Sequence, residues 1–204
     1  ILITHHHNDH VAGVDDLRAA YGARVVGPRS EQDKIPALDL AVGEGDDAGL
    51  GLLDVATMDV PGHTLGHVAF YIPDANAVFT ADSLMALGCG RLFEGTPQQM
   101  WDSLTKLSAL PVDTVVCSGH EYTQANARFA LTVDPDNAAL IDRAEQIDAR
   151  RARGEPTVPS LLSEEMRTNP FLRAKDPGIR AHLNMADAPD VDVFAEIRRR
   201  KDAF

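Results

Sequence analysis

The first ten residues, Ile1-Leu2-Ile3-Thr4-His5-His6-His7-Asn8-Asp9-His10, hold four of the chain's eight histidines. An apolar trio leads straight into them. A buried strand, Ile1 to Thr4, is therefore expected to end in a polar loop, His5 to Val11. In an extended segment, side chains two apart point the same way. His5 and His7 can then converge on one ion, while Asp9 and His10 follow on a turn and can face a second. Imidazole and carboxylate suit zinc, iron or manganese, and the lack of thiolate argues against a structural zinc knot. The bland alternatives are a tag remnant or a solvated polar loop. Against the tag, Asn8-Asp9 interrupts the run and a strand precedes it.

The rest of the chain divides by its periodicity. Strands are expected at Ala23–Gly27, Leu50–Val60, His67–Ile72, Ala77–Thr80 and Asp113–Cys117, where β-branched and apolar residues cluster between turn formers. Val14, Leu17 and Tyr21 give a helix over 12–21 that Gly22 can stop. Thr96 followed by Pro97 is a good helix start, with Met100, Leu104 and Leu107 on one face. Residues 82–95 read as a long ordered loop. After about Tyr122 strand signals stop. Helices are expected over 124–131, from Asp134 through Pro135 to about Arg153, and over 176–183 and 190–201, with a linker-like stretch at 156–170. A β-rich α/β region, 1–122, thus precedes a helical region, 123–204.

Charge excludes some partners. Asp plus Glu number 31 against 19 Lys plus Arg, a formal net charge of −12 over 204 residues. Such a surface argues against non-specific binding of nucleic acid or of an anionic membrane. An anionic small substrate would need a local basic pocket. No apolar run is long enough to suggest a membrane span. Cys89 and Cys117 allow at most one disulfide. Cys89 sits between two glycines and reads as a buried, inert thiol rather than a nucleophile; Cys117 reads as core.

Three more chemical residues stand at the ends of expected strands: His63 in Pro61-Gly62-His63-Thr64-Leu65-Gly66-His67, Asp82 in Phe79-Thr80-Ala81-Asp82, and His120 in Ser118-Gly119-His120-Glu121-Tyr122. Singly each is weak. In order, His-x-His-x-Asp-His, then Gly-His, then Asp, then Gly-His resembles the ligand series of the metallo-β-lactamase superfamily. Within it, Gly88-Cys89-Gly90-Arg91-Leu92-Phe93-Glu94-Gly95-Thr96, His120-Glu121-Tyr122-Thr123, Asn169-Pro170-Phe171-Leu172-Arg173 and the terminal Arg198-Arg199-Arg200-Lys201-Asp202-Ala203-Phe204 resemble the glyoxalase II, or hydroxyacylglutathione hydrolase, family.

The resemblance implies an αββα sandwich followed by a helical domain, 1–122 catalytic and 123–204 substrate-binding. It implies two divalent metal ions, zinc first, with iron or manganese as alternatives. His5, His7 and His63 would hold one ion and Asp9, His10 and His120 the other. Asp82 would bridge them together with a hydroxide that Asp9 helps to orient for catalysis. The implied reaction is hydrolysis of S-(2-hydroxyacyl)glutathione thioesters, S-D-lactoylglutathione to D-lactate and glutathione, in methylglyoxal detoxification. Arg91, Phe93, Tyr122, Arg173 and Lys175 would surround the glutathione moiety. His6 would point away from the ions, and His67 would support the loop of His63. His182 has no motif and reads as an ordinary helix residue.

The family carries strands before the histidine-rich motif, and this sequence does not show them. A longer natural protein is the expectation. A cytoplasmic monomer that binds neither nucleic acid nor membrane is expected from charge and the lack of a targeting segment. The alternatives are a mononuclear-iron glutathione persulfide dioxygenase, disfavoured by the helical tail, and an inactive metal-binding fragment.

Overall fold

The computed structural model describes residues 1–51 and 53–204. Its centre is a five-stranded sheet built from β3 (Ala56–Asp59), β4 (Val68–Ile72), β5 (Ala77–Ala81), β8 (Val115–Ser118) and β9 (Ser160–Leu161), side by side in that order. Strands β3–β4–β5 form an antiparallel meander, and β5 pairs with β8 in parallel. A second, two-stranded parallel sheet joins β1 (Val26–Pro28) to β2 (Leu40–Val42). A short hairpin, β6 (Leu84–Met85) and β7 (Gly88–Cys89), lies within the expected loop after β5.

Alternation along β4 sets the layers, because neighbouring strand residues face opposite sides. Ala69 faces a large core with Val78, Val116 and residues of α3 (Pro97–Ser108), α4 (Thr123–Val133), α6 (Leu162–Thr168), α7 (Pro177–Leu183) and α8 (Asp190–Ala203). Val68, Phe70 and Ile72 face the other way, onto Val26, Val42, Ala48 and Val55. Beyond the small sheet, Val14 of α2 (Val14–Tyr21) packs with Ile3, Val25 and Ile35. The order is helices, sheet, sheet, helix: the αββα arrangement expected, with helices following it. Phe129, Phe171 and Phe194 are fully buried in the large core, each worth roughly 2–3 kcal/mol of transfer free energy. That core joins helices from both halves of the chain to the central sheet.

Several local expectations shift. Thr96 does cap α3: it accepts from Gln99 N–H while the Gln99 side chain takes the Thr96 N–H. The helix expected from Asp134 instead begins after Asn137, as α5 (Ala138–Ala152), with the Asn137 side chain accepting from Leu140 N–H. Pro135 has no N–H to offer, and the Asp134 carboxylate is taken by Asn137 Nδ2 at 2.8 Å and Arg173 at 3.3 Å. The strand expected over 50–60 is confined to β3, because Gly49 and Gly51 take positive φ and turn the chain; Leu52 in that stretch lies outside the described residues. The linker-like 156–170 holds β9 and α6 (Leu162–Thr168). Ile1–Thr4 makes one parallel bridge, Leu2 to Val26, rather than a full strand. The loop at 5–11 contains a single helical turn, α1 (Asn8–Val11).

Candidate metal centre

Strand directions bring the chemistry together. Because β3, β5 and β8 all run the same way, their carboxyl ends share one edge of the sheet. His63, Asp82 and His120 follow those three ends. Loops at the carboxyl ends of such strands are where α/β folds place ligands. The histidine-rich segment reaches the same edge because Thr4 C=O accepts from Val68 N–H at 2.9 Å, beside β4. A register shift between Phe79 and Ala81, with Ala81 at φ +43°, turns the end of β5 toward the cluster.

The seven expected ligands converge. His63 Nδ1 is 2.8 Å from the Arg91 carbonyl, which can only accept, so Nδ1 carries the proton. The free Nε2 then faces His7 Nδ1 at 2.9 Å and Asp82 Oδ2 at 3.4 Å. His120 Nε2 lies 3.3 Å from His10 Nε2, from Asp9 Oδ2 and from Asp82 Oδ2. Asp82 Oδ2 is therefore near one histidine of each trio. Donor atoms of His5, His7 and His63, of His5, His10 and Asp82, and of Asp9, His10 and His120 each fall within 4.8 Å of one another.

The donor set fits divalent cations. His5 Nε2 and Asp82 Oδ1 are buried without a hydrogen-bond partner, and such orphaned atoms are costly unless something binds them. All seven donors are nitrogen or oxygen, suited to zinc, iron or manganese. Burial, with the neighbouring His67 and His10, pushes His5 well down, and burial also lowers His63; both imidazoles are thereby kept neutral, the form that ligates a metal. Attraction to Asp82 raises His10. Burial pushes the Asp82 carboxyl up, but His10, His120 and His63 outweigh it and hold it below the usual carboxylate range.

A cleft of about 390 Å³ opens over the cluster, lined by His7, Asp9, His63, Asp82 and His120 at its base. A larger apolar groove of about 600 Å³ has His10 in its lining but none of the other six expected ligands; the smaller cleft holds the chemistry. Arg91, Phe93 and Tyr122 line it. Tyr122 stacks on His120 with ring centroids 4.9 Å apart, and Phe93 meets His7 and His63 edge-on.

Arg173 and Lys175 lie elsewhere. Arg173 is engaged by Asp134 and Asp176, and Lys175 faces Asp190 at 3.7 Å and lines a separate hollow. The cations that do join Arg91 are Arg198 and Lys201. Arg198 donates to the Cys89 carbonyl at 3.0 Å and to Asp202 at 2.7 Å, over the Phe171 ring. Their spacing was a readable signal: i and i+3 share a helix face, and Phe194 and Ile197 on the same helix are buried. Cys89 is buried and pushed up to about 11 by that burial.

Residues 1–120 match the family model described as the metallo-beta-lactamase superfamily, and residues 121–204 match that of the hydroxyacylglutathione hydrolase C-terminus. A hydroxyacylglutathione hydrolase of Ruegeria pomeroyi is 64% identical over all 204 residues, which cover 80% of its length. One of Cereibacter sphaeroides is 61% identical with the same coverage. The chain belongs to the hydroxyacylglutathione hydrolase family. Among solved structures, ETHE1 from Myxococcus xanthus aligns over 99% of this chain and 75% of its own, with TM-score 0.60 and 26% identity. A protein solved in a di-iron-bound form aligns over 84% of this chain and 76% of its own, with TM-score 0.57 and 27% identity. Membership in this hydrolase family makes the chain an enzyme that uses divalent metal ions, and the cluster under the cleft offers the ligands for them.

His6 and His67 are not part of that ligand set. His6 turns away, to Glu31 at 2.9 Å and Glu94 at 3.4 Å. His67 is fully buried and stacks on His5 at 4.5 Å between centroids, lowered to about 3 by burial. His182 reaches only the Thr132 carbonyl at 3.0 Å.

Proposed function

We propose that this enzyme hydrolyses S-(2-hydroxyacyl)glutathione thioesters, with S-D-lactoylglutathione as its substrate in methylglyoxal detoxification. The observation that carries the reading is the cleft itself: members of both ligand trios, His7 and His63 of one and Asp9 and His120 of the other, line it together with three cations, Arg91, Arg198 and Lys201, on a chain of net charge −12. His5, His7 and His63 would hold one ion, Asp9, His10 and His120 the other, and Asp82 would bridge them. Bound there, a pair of divalent cations supplies Lewis acidity and lowers the pKa of a water to about 7. Zinc is the first assignment, with iron or manganese fitting the same donors.

The chain's own groups do the rest. Asp9, its side chain 60% exposed and lining the cleft, would orient the attacking hydroxide. Arg91, Arg198 and Lys201 receive the glutathione carboxylates, since a guanidinium can clamp a carboxylate through parallel hydrogen bonds. Phe93 and Tyr122 shape the mouth. The departing thiolate is a good leaving group, so no strong general acid is required. Region 1–122 thus supplies the chemistry, and 123–204 lends Arg198 and Lys201 to hold the substrate. The reading places the enzyme in the cytoplasm as a monomer, without a nucleic-acid or membrane partner. Among the described residues no helix is long and apolar enough to cross a membrane.

The test is turnover of S-D-lactoylglutathione by the chain, with its metal content measured on the same sample. Two metals per chain and thioesterase activity that His5→Ala abolishes are expected. A folded, fully metallated chain without thioesterase activity would sink the reading.

A further inference from the structure

We propose that Glu31, which lies outside every motif named above, is a positioning residue: its carboxylate ties the loop carrying His63 to the segment carrying His5 and His7. The inference rests on the metal-centre reading and adds to it which residue sets the geometry of one ligand trio.

Glu31 sits in a 3-10 turn, Arg29–Lys34, directly after β1. Its side chain is 2% exposed. A buried carboxylate is tolerated only when its lone pairs are well used. Here Oε1 accepts from Thr64 Oγ1 at 2.6 Å and from Gly66 N–H at 3.0 Å, while Oε2 meets His6 Nδ1 at 2.9 Å. Thr64 directly follows His63, and His6 lies between His5 and His7. One carboxylate therefore spans both sources of the first trio. The approach is close: a Cβ on Gly66 would lie 2.4 Å from Glu31 Cγ.

Glu94 reinforces the bracket from the other side. It stands 3.4 Å from His6 Nε2 and accepts from Leu65 N–H at 2.9 Å. Two carboxylates thus hold Thr64, Leu65 and Gly66 and share His6 as a cross-piece. Donor atoms of His6, Glu31 and Glu94 are near enough to suggest a further metal site. Their mutual contacts and their backbone donors already occupy them, so the group reads as a brace. Its contacts stop short of the second trio: His6, Thr64 and Gly66 are the hydrogen-bond partners of Glu31, and none is Asp9, His10 or His120. Outer groups that orient metal ligands commonly tune affinity by 10–100-fold.

The experiment titrates the metal-free full chain with zinc against a chelator of known affinity, for the parent, Glu31→Gln and Thr64→Val. Glu31→Gln keeps an acceptor for Thr64 and Gly66 but cannot also present one to His6. Thr64→Val keeps the shape and removes only the hydroxyl. The expected result is two zinc ions in every protein, with one of the two weakened by roughly 10–100-fold in the variants and the other unchanged. In the metal-free variants the His63 imidazole resonances shift while those of His120 stay. Should Glu31→Gln fail to fold, Thr64→Val decides alone. Parental affinity at both sites in a folded variant overturns the proposal. So does an equal fall at both sites that follows the melting temperature. A parent that binds no zinc overturns the metal-centre reading itself, and the inference with it.

Discussion

Gly119 approaches the Asp82 carboxylate so closely that no side chain fits between them. A Cβ there would lie 2.5 Å from Asp82 Oδ1 and 2.9 Å from His10 Cε1. Both neighbours are expected ligands, and Gly119 directly precedes a third, His120. Gly119→Ala must push one of them aside. Because displacements near 1 Å at a reacting centre can cost about 100-fold in rate, a loss of that order in kcat is expected, with less than two metals retained per chain. Metal analysis and steady-state thioester kinetics on the same sample check it. Full occupancy with unchanged kcat would mean that the loop yields freely.

The helical region grips the hairpin beside Asp82 through a buried ion pair. Glu165 is fully buried; it accepts from Leu87 N–H at 2.8 Å and from Asn169 Nδ2 at 3.1 Å, and it pairs with Arg143. Asn169 reaches on to the carbonyls of Met85 and Gly88. Glu165→Ala would strand a buried guanidinium, which costs about 3–5 kcal/mol. For a chain of this size that lowers Tm by roughly 10 °C. A thermal melt reads it directly, and a shift of only a degree or two would show that the pair is solvated in solution.

Acid should weaken the metal-free protein before it affects ordinary surface groups. Burial holds His5, His63 and His67 below their usual 6.5, His67 to about 3. The unfolded chain therefore takes up protons that the folded one refuses as pH falls through about 6.5, and stability drops with it. Asp82, lowered overall, adds the same sign at lower pH. His10 is raised and works the opposite way, but it is one group against three histidines. Urea midpoints of the metal-free chain should fall steadily from pH 7.5 to pH 5, and His67→Phe should flatten the slope. An unchanged midpoint across that range would contradict the neutral state assigned to these imidazoles.

The candidate ligand set was legible because its order along the chain is itself the signal. His63, Asp82 and His120 are far apart in sequence, yet each follows a strand that ends at one sheet edge, and strand direction gathers them; the hydrogen bond from Val68 N–H to the Thr4 carbonyl brings in the segment of His5, His7, Asp9 and His10. The cleft wall was harder to read. Arg173 and Lys175 lie in a family-like stretch; Asp176 is a local partner for Arg173, but nothing in the stretch reveals that Asp134 and Asp190, distant in sequence, engage them as well. Arg198 and Lys201 hid in a run of four cations, where only the buried face of α8 tells inward from outward. Glu31 gave no local sign, since a lone Glu in an acidic stretch is ordinarily solvated and its partners lie 25 to 35 residues away. Boundaries such as Asn137 in place of Asp134 turned on a tertiary pairing that propensity does not contain.

The cleft cations yield the sharpest contrast between what sequence and structure expect. Arg91 is 55% exposed and shares Asp202 with Arg198, and Lys201 lies over the Phe129 and Phe204 rings, its ammonium lowered by burial. Arg91 meets His63 only through its backbone carbonyl, which an alanine keeps, and neither side chain hydrogen-bonds a member of the ligand trios, so their loss should weaken substrate binding and spare the chemical step. A charge-assisted hydrogen bond is worth about 1.5–3 kcal/mol, so Arg91→Ala and Lys201→Ala should each raise KM for S-D-lactoylglutathione by roughly tenfold or more, with kcat little changed. Added salt should raise the parent's KM, since exposed charges are screened within about 10 Å at 0.1 M, and it should affect the variants less. Arg173→Ala should leave KM in place and lower stability instead, because it frees Asp134 and Asp176. Steady-state kinetics across the three variants decide between them. A KM effect at Arg173 with none at Arg91 or Lys201 would move the glutathione moiety off the cleft and onto the helical surface.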